Sequence, residues 1–159
     1  MTRIIAGEAR GRTIKVPAEG TRPTADRARE GLFSSLNARW GFAGSSVLDL
    51  FAGSGALGLE AASRGAEEAV LVESSADAVK VIRHNMGVVK HPGVRVQEMK
   101  VGTYLASAPR KHFDLVLADP PYAFDEVDAL IAAIEPVLTD HAMVVIERHV
   151  DSADTVWPA

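Results

Sequence analysis

The stretch that decides the fold of this 159-residue chain is Val47-Leu48-Asp49-Leu50-Phe51-Ala52-Gly53-Ser54-Gly55-Ala56-Leu57-Gly58. Its apolar first half contains one carboxylate, Asp49, and then breaks into glycines before an amphipathic segment begins. This pattern predicts a buried β-strand over 47–51, a tight turn and an α-helix over 56–64. Glycine suits such a turn because it accepts positive φ angles and lets a ligand approach the backbone closely.

A second strand-and-turn signal reads Phe113-Asp114-Leu115-Val116-Leu117-Ala118-Asp119-Pro120-Pro121-Tyr122. It predicts a strand over 113–118 that runs into a carboxylate, a rigid Pro-Pro turn and an aromatic ring. Two strand ends that each carry an acid and a stiff turn predict one shared ligand crevice.

The rest of the chain after residue 46 alternates between strand and helix patterns. Strands are predicted over 69–73, 94–98 and 142–147, and helices over 76–85, 101–107 and 126–138. Five strands that alternate with helices predict an α/β fold with a doubly wound, mostly parallel, Rossmann-like sheet. In such sheets ligands bind beyond the carboxyl ends of the strands, where the strand order reverses. We therefore expect Asp49, Glu73 and Asp119 to face one crevice.

The N-terminal forty residues follow a different pattern. Short β-branched segments at Arg3-Ile4-Ile5 and Thr13-Ile14-Lys15-Val16 flank two glycines, which predicts a β-hairpin. A stiff connector over 21–24 follows, and a helix with one apolar stripe is predicted to begin at Thr24 or Ala25.

The composition excludes several classes of protein. The chain is 47% hydrophobic, which suits one globular domain with a buried core. It contains no Cys, which excludes disulfides and thiolate metal sites and fits a reducing cytosol. It has no apolar run of about 18 residues and no signal-peptide pattern, so we expect a cytoplasmic protein with no membrane partner. The five His residues lack metal-ligand spacing, and no metal is expected.

The net charge of −4 hides an asymmetry. Residues 1–40 carry eight Lys and Arg against four Asp and Glu, whereas residues 41–159 carry nine against seventeen. We therefore divide the chain into a basic arm, 1–40, and an acidic ligand-binding domain, 41–159. The arm is either an ordinary solvated segment or a phosphate-contacting surface, since phosphate contacts supply most non-specific affinity for nucleic acid. The candidate phosphate ligands are Arg3, Arg10, Arg12, Lys15, Arg22, Arg27 and Arg29.

The glycines permit two interpretations. Gly53-x-Gly55-x-x-Gly58, followed by Glu73, matches the dinucleotide fingerprint and would suit NAD. However, a pyrophosphate prefers bare backbone N–H groups at a helix start, and Asp49 places negative charge there. S-adenosylmethionine carries an ammonium and a sulfonium, so Asp49 suits it, while Glu73 can accept hydrogen bonds from both ribose hydroxyls. The structural alternative for Asp49 is an acid that caps the glycine turn.

These motifs resemble those of known enzymes. Asp49-Leu50-Phe51-Ala52-Gly53-Ser54-Gly55 resembles the first motif of class I methyltransferases, and Asp119-Pro120-Pro121-Tyr122 resembles the motif of those that methylate planar amino nitrogens. The N-terminal segments narrow the resemblance; they are Arg3-Ile4-Ile5-Ala6-Gly7, Arg10-Gly11-Arg12 and Thr21-Arg22-Pro23-Thr24-Ala25-Asp26-Arg27-Ala28-Arg29-Glu30. Together they resemble, over nearly the whole chain, the RsmD family, bacterial enzymes that methylate a guanine N2 of small-subunit ribosomal RNA.

The resemblance implies a cofactor, a partner and a set of site residues. The cofactor is S-adenosylmethionine, and the partner is ribosomal RNA or the small ribosomal subunit; we expect the protein to act as a monomer. The cofactor-binding residues are Asp49, Leu50, Phe51, Ala52, Gly53, Ser54, Gly55, Glu73, Ser74 and Thr24. Arg22 is implied to close over the cofactor with Thr24, which leaves this arginine two possible roles.

The Asp-Pro-Pro-Tyr segment suits methylation of an exocyclic amine, whose lone pair is delocalised into the base. The Asp119 carboxylate and the Pro120 carbonyl can each accept one amino hydrogen and twist the nitrogen toward tetrahedral geometry. Proline fixes the direction of that carbonyl because its φ is locked, and Pro121 continues the stiff turn. Tyr122 can stack on a base that has left its stack. We take these four residues as the candidate catalytic residues.

Two features depart from the family pattern. Met99-Lys100 stands where the family often has a small residue or an acid near the adenine. The family usually continues past its fifth strand into a final β-hairpin, whereas this sequence stops at Ala159, so we expect that hairpin to be absent. Three other functions remain open: a DNA adenine-N6 methyltransferase, a protein glutamine methyltransferase, and a non-catalytic nucleotide- or RNA-binding module.

Overall fold

The structure is a computed structural model that describes residues 2–16, 23–39, 41–120 and 126–147, with side chains of the second segment described from 29 to 38. The N-terminal hairpin consists of β1 (Thr2–Arg3) and β2 (Thr13–Ile14), which pair antiparallel. The remaining elements are α1 (Pro23–Arg39), β3 (Ser46–Leu50), α2 (Ala56–Ser63), β4 (Glu68–Glu73), α3 (Ala76–Val89), β5 (Val94–Glu98), α4 (Val101–Ser107), β6 (Phe113–Ala118), α5 (Val127–Ile134), a 3-10 turn (Glu135–Val137) and β7 (Leu138–Ile146).

Five parallel strands form the central sheet in the order β5-β4-β3-β6-β7. The chain moves outward from β3 through β4 to β5, returns to place β6 on the other side of β3, and continues outward to β7. The strand order therefore reverses between β3 and β6, and a crevice is expected beyond the carboxyl ends of these two strands. The predicted α/β, doubly wound sheet with an N-terminal hairpin is confirmed.

Helices cover both faces of the sheet, and two apolar clusters fill the space between the layers. Alternate residues of β3 point to opposite faces, so Val47 joins one cluster while Leu48 and Leu50 join the other. The first cluster lies under α2 and α3, and the second lies under α4 and α5. Ile4 and Ile14 of the hairpin segment belong to the first cluster. The division at residue 40 is thus a division by charge, since apolar residues on both sides of it share one core.

Three predicted boundaries were wrong by four residues each, and those of β3, α2, β4 and α1 were wrong by one or two. Helix α3 continues to Val89, four residues beyond the prediction, because Val89 extends the buried stripe; the helix ends at Lys90 in the left-handed conformation. Helix α5 ends at Ile134 and tightens into the 3-10 turn, which contains Pro136, a residue without a backbone N–H. Strand β7 begins at Leu138, and its pairing with β6 passes through a register shift.

Glu60 anchors the hairpin segment to the domain. This carboxylate lies fully buried on α2 and accepts the backbone N–H groups of Ile5, at 2.8 Å, and Ala6, at 3.1 Å. Two arginines balance its charge: Arg64 Nε donates at 2.9 Å, and Arg29 Nε lies 4.0 Å away. A buried carboxylate is tolerated when it is paired and hydrogen-bonded, and here its partners include the hairpin backbone.

Ser63, at the end of α2, supplies the second anchor. Its hydroxyl donates to the carbonyl of Ala6 at 2.6 Å and accepts the N–H of Ala9 at 2.9 Å, while its carbonyl accepts the N–H of Glu8 at 2.8 Å. Gly7 lies against this helix end with φ +90°, and a Cβ there would overlap the Ser63 carbonyl. Only glycine allows the hairpin loop to approach α2 this closely.

Replacing Gly7 with Ala should therefore destabilise the protein more than replacing Gly11. Both glycines have positive φ, so Ala adds about 1–2 kcal/mol of backbone strain at either position. A Cβ at Gly11 meets nothing within 4 Å, so Gly11→Ala is the matched control for strain without overlap. We expect urea unfolding to show a clearly larger loss for Gly7→Ala; equal losses would contradict the close docking of the hairpin.

Candidate active site

The loop between β3 and α2, residues 51–55, has a conformation that requires its glycines. Gly53 and Gly55 have φ angles of +60° and +82°, and Phe51 also adopts a positive φ of 57°. A Cβ on Gly55 would lie 2.7 Å from Leu71 Cδ2, so this position is closed to other residues for steric reasons as well. A non-glycine residue at positive φ, as at Phe51, is a form of backbone strain that concentrates at functional sites.

Asp49 lies beneath this loop and is 1% exposed. Its Oδ2 accepts the backbone N–H of Gly58, in the first turn of α2, at 2.9 Å. The capping alternative is therefore correct for one oxygen. The other oxygen, Oδ1, is buried and has no hydrogen-bond partner among the described residues. A buried carboxylate oxygen without a partner is costly, so its presence marks a position prepared for a donor or a cation.

Three carboxylates converge at this edge of the sheet. In the strand registers, Asp49 pairs with Leu71 of β4 and with Leu117 of β6, so Glu73 and Asp119 each lie two residues further toward the carboxyl ends. The pKa of Asp49 is raised to about 8, mainly by burial; the Gly58 N–H opposes this rise, and the negative charges of Asp119 and Glu73 contribute to it. The three acids therefore lie at the same edge of the sheet, and their potential there favours a cation.

Glu73 holds the glycine loop to the start of α3. Its Oε1 accepts the N–H of Gly53 at 2.8 Å, and its Oε2 accepts the N–H of Ser75 at 2.8 Å. Ser75 caps α3 by accepting the N–H of Ala78. Each carboxylate oxygen keeps a lone pair for another donor. Ser74, between Glu73 and Ser75 in the chain, is exposed.

Asp119 and Pro120 follow β6 directly. The Asp119 N–H donates to the Leu50 carbonyl at 3.5 Å, which places this residue beside the end of β3. Although the Asp119 side chain is exposed, the atoms around it displace part of its hydration, and this effect together with the charge of Glu147, directly after β7, raises the pKa of Asp119 to about 6. Pro121 and Tyr122 lie outside the described residues.

Asn85 is a site residue that the sequence analysis missed. This fully buried amide on α3 donates to the carbonyls of Ser54, at 2.9 Å, and Lys15, at 2.8 Å, and accepts the N–H of Lys15 at 2.7 Å. It therefore joins the glycine loop to the hairpin segment. The available signal was a polar residue in the apolar stripe formed by Val79, Ile82 and Val89, because a buried amide must find partners.

The basic residues of the arm differ in their exposure and in their hydrogen bonds. Arg3, Arg10 and Lys15 are exposed. Arg12 is exposed too, but its Nη1 donates to the Val88 and Val89 carbonyls, at 3.3 and 2.9 Å, at the end of α3. Arg22 and the side chains of Thr24 and Arg27 lie outside the described part of the chain.

The prediction that Arg29 contacts phosphate was wrong. Arg29 is 7% exposed, and its Nη2 donates to the Arg3 carbonyl at 2.7 Å and to Thr2 Oγ1 at 3.1 Å. Its charge lies near the buried Glu60 carboxylate. Arg29 therefore holds β1 in place and is not available to a ligand.

Two features are absent from the described part of the chain. Within residues 2–16, 23–39, 41–120 and 126–147, no group of three or more His, Asp or Glu residues is arranged to hold a metal ion. None of the helices in the described part of the chain is long and apolar enough to cross a membrane.

In the central parallel sheet, β3 leads through a glycine loop to a helix, and an acid ends the next strand in the chain. A solved structure of precorrin-6y C5,15-methyltransferase from Geobacter metallireducens GS-15 has a similar fold, with a TM-score of 0.67 at 18% identity over 84% of this chain and 66% of that one. This chain therefore has the class I methyltransferase fold.

The family follows from matches over nearly the whole chain. The family model described as "Conserved hypothetical protein 95" matches residues 2–159. The ribosomal RNA small subunit methyltransferase D of Escherichia coli K12 is 37% identical over 99% of this chain and 79% of that protein. The solved structure of yhhF from Escherichia coli has a TM-score of 0.85 at 36% identity, over 99% of this chain and 86% of that one. The chain belongs to this family, the RsmD family of methyltransferases.

Asp49→Asn should flatten the pH dependence of stability. The pKa of Asp49 rises from 3.8 to about 8 on folding, so between these values the folded protein binds a proton more tightly than the unfolded chain does. The free energy of unfolding should therefore fall with rising pH, by at most about 1.4 kcal/mol per pH unit from this group. Urea unfolding between pH 5 and 8 checks this, with the exposed Asp77→Asn as control. An unchanged slope in Asp49→Asn would show that its burial carries no cost.

Proposed function

We propose that this protein transfers a methyl group from S-adenosylmethionine to the exocyclic N2 amine of a guanine in small-subunit ribosomal RNA. The observation that carries the proposal is the convergence of Asp49, Glu73 and Asp119 at the strand-order reversal, in a chain that belongs to a family with ribosomal RNA methyltransferases among its members. The proposal implies a cytoplasmic protein that acts as a monomer on RNA.

The crevice residues fit the cofactor. The unpartnered Asp49 Oδ1 suits an ammonium group, directly or through water, and a cation there would relieve the cost of its ionisation. The free lone pairs of Glu73 suit two ribose hydroxyls. When bound, S-adenosylmethionine supplies a methyl group on a cationic sulfur. The residues proposed to hold it are Asp49, Leu50, Phe51, Ala52, Gly53, Ser54, Gly55, Glu73, Ser74 and Thr24.

The same electrostatics argue against NAD. A pyrophosphate at the glycine loop would bring negative charge close to the Asp49 carboxylate. It would also lack the Gly58 N–H, because that group already donates to Asp49. The negative charges of Glu73 and Asp119 also act on the site of Asp49. A pyrophosphate close to these carboxylates, in a region partly shielded from water, would be strongly repelled. The glycine pattern therefore fits a cationic ligand better than an anionic one.

Asp119 and Pro120 are proposed to activate the amine. The ionised Asp119 carboxylate and the Pro120 carbonyl each accept one amino hydrogen, and the nitrogen twists so that its lone pair leaves the conjugation of the ring. Pro121 is proposed to stiffen the turn and Tyr122 to stack on the guanine, worth about 1–3 kcal/mol. The methylated amine can lose its proton late, to water, so the reaction needs no general base. Asp119 must be ionised in this role, because a protonated carboxyl loses acceptor capacity.

The exposed residues of the hairpin segment are proposed to bind RNA phosphates. Arg3, Arg10 and Lys15 are exposed, and Arg12 keeps guanidinium donors beyond the one bonded to α3. Arg22 and Arg27 remain in the proposed set. The target guanine must leave its stack to reach the crevice, so a loop base or a flipped base is expected.

The decisive experiment measures transfer of labelled methyl from S-adenosylmethionine to naked small-subunit ribosomal RNA, assembled small subunits, DNA and protein in parallel. We expect label in one of the two ribosomal substrates, at guanine N2. Asp119→Ala should lose most of this transfer while its affinity for the cofactor persists, and Asp77→Asn serves as an exposed control. Label only in DNA adenine or in protein glutamine would replace the proposed function, and transfer to nothing would leave a non-catalytic binding module.

The pH profile tests the role of Asp119. With saturating cofactor, kcat/KM for RNA should rise with pH through about 6, as Asp119 loses its proton. Glu147→Gln removes a neighbouring negative charge, which lowers the pKa of Asp119 and moves this acidic limb to lower pH. Glu135→Gln, an exposed acid on the 3-10 turn, is the control and should leave the limb in place. If the acidic limb of the pH profile stays at the same pH in Glu147→Gln, the group that titrates is not Asp119.

A further inference from the structure

The outer face of α3 carries a row of basic side chains that the sequence analysis did not connect with function. Lys80, Arg83, His84 and Lys90 are all exposed. Lys80, Arg83 and His84 are three and four positions apart and therefore lie along one side of the helix, opposite the buried stripe that contains Ile82, and Lys90 directly follows the last helical residue. At 1.5 Å per residue the row is about 15 Å long.

The charge of α3 departs from that of its surroundings. Residues 41–159 carry eight more acidic than basic residues, yet the acid within α3 is Asp77 alone. None of the salt bridges found among the described residues involves Lys80, Arg83 or Lys90. An unpaired basic row on an acidic domain is available to a polyanion.

Hydrogen bonds make this row continuous with the hairpin segment. Arg12 donates to the carbonyls of Val88 and Val89, the last two residues of α3. These bonds place the Arg12 guanidinium next to Lys90, at the C-terminal end of the row. The other end of α3 begins at Ser75, which shares the Glu73 carboxylate with the glycine loop. The row therefore extends from the hairpin toward the crevice.

We propose that α3 is a second RNA-binding element, and that Lys80, Arg83 and Lys90 form with Arg12 one surface, the α3–hairpin surface, which contacts phosphates flanking the target guanine. This inference rests on the proposed function and extends it to residues outside the basic arm. A linear row of cations matches a strand of phosphates. A membrane surface fits less well, because a membrane-bound helix inserts large apolar residues beside its basic ones, and the row includes the exposed Gly87.

The test compares two double variants that each remove two positive charges. Lys80→Gln/Arg83→Gln changes the α3–hairpin surface, whereas Arg110→Gln/Lys111→Gln changes exposed residues in the turn that follows α4, which lies on the opposite face of the sheet. Binding of the small-subunit RNA substrate is measured between 50 and 200 mM salt, chosen as roughly the range over which phosphate contacts show their effect. Affinity for S-adenosylmethionine, kcat and the unfolding midpoint are measured alongside.

We expect Lys80→Gln/Arg83→Gln to weaken RNA binding several-fold at the lower salt and to reduce the slope of log K against log salt by about 1–2. The KM for RNA should rise, while kcat, cofactor affinity and the unfolding midpoint stay unchanged. The control variant should keep the wild-type slope. Equal losses in both variants would show a non-specific effect of net charge and would overturn the proposal.

The outcomes for the surface and for the function are distinguishable. If the wild type methylates RNA and Lys80→Gln/Arg83→Gln binds it normally, the α3–hairpin surface is wrong and the proposed function stands. If the wild type binds RNA through this surface without methylating it, the surface stands and the proposed function fails. If the wild type does not bind RNA at all, both are wrong.

Discussion

A carboxylate held under a glycine loop is the constraint on which the rest of this structure depends. Asp49 lies in the central strand β3, which pairs with β6, and the strand order reverses between these two strands. One of its oxygens is bonded to α2 and the other has no partner among the described residues. A buried carboxylate oxygen without a hydrogen-bond partner lowers the stability of the folded protein. Such a cost is typical of sites where a bound ligand supplies the missing partner. The glycines, the strained Phe51 and the acids of the neighbouring strands are all arranged around this group.

The sequence predicts most of the fold because its patterns are local. Strands β5 and β6 and helix α4 have the predicted bounds, since each is a short apolar or amphipathic run between clear breaks. The strand order could not be predicted, because pairing depends on how the helices pack. The early start of β7 at Leu138 was missed for the same reason: those residues are extended by pairing across a register shift, and their own pattern is weak.

The site was predicted in part. The convergence of acids follows from their positions at the ends of parallel strands, which the pattern shows. The burial of Arg29 does not follow, because its neutralising partner, Glu60, is far away in the chain and lies on a helix that the pattern shows only as apolar. The double role of Asp49 was posed as two alternatives, a cap or a ligand-binding acid, whereas the carboxylate has one oxygen available for each. Sequence spacing does not distinguish the two oxygens of one group.

Asn85 has a consequence for how such a protein can be re-engineered. Its amide bonds Lys15 of the hairpin segment, 70 positions earlier in the chain, and Ser54 of the glycine loop, 31 positions earlier. A transplant of residues 2–16 onto another methyltransferase would leave the N–H and the carbonyl of Lys15 without partners unless the recipient helix carried an equivalent side chain. The hairpin segment and the glycine loop therefore depend on the same side chain, although they occupy separate stretches of the polypeptide.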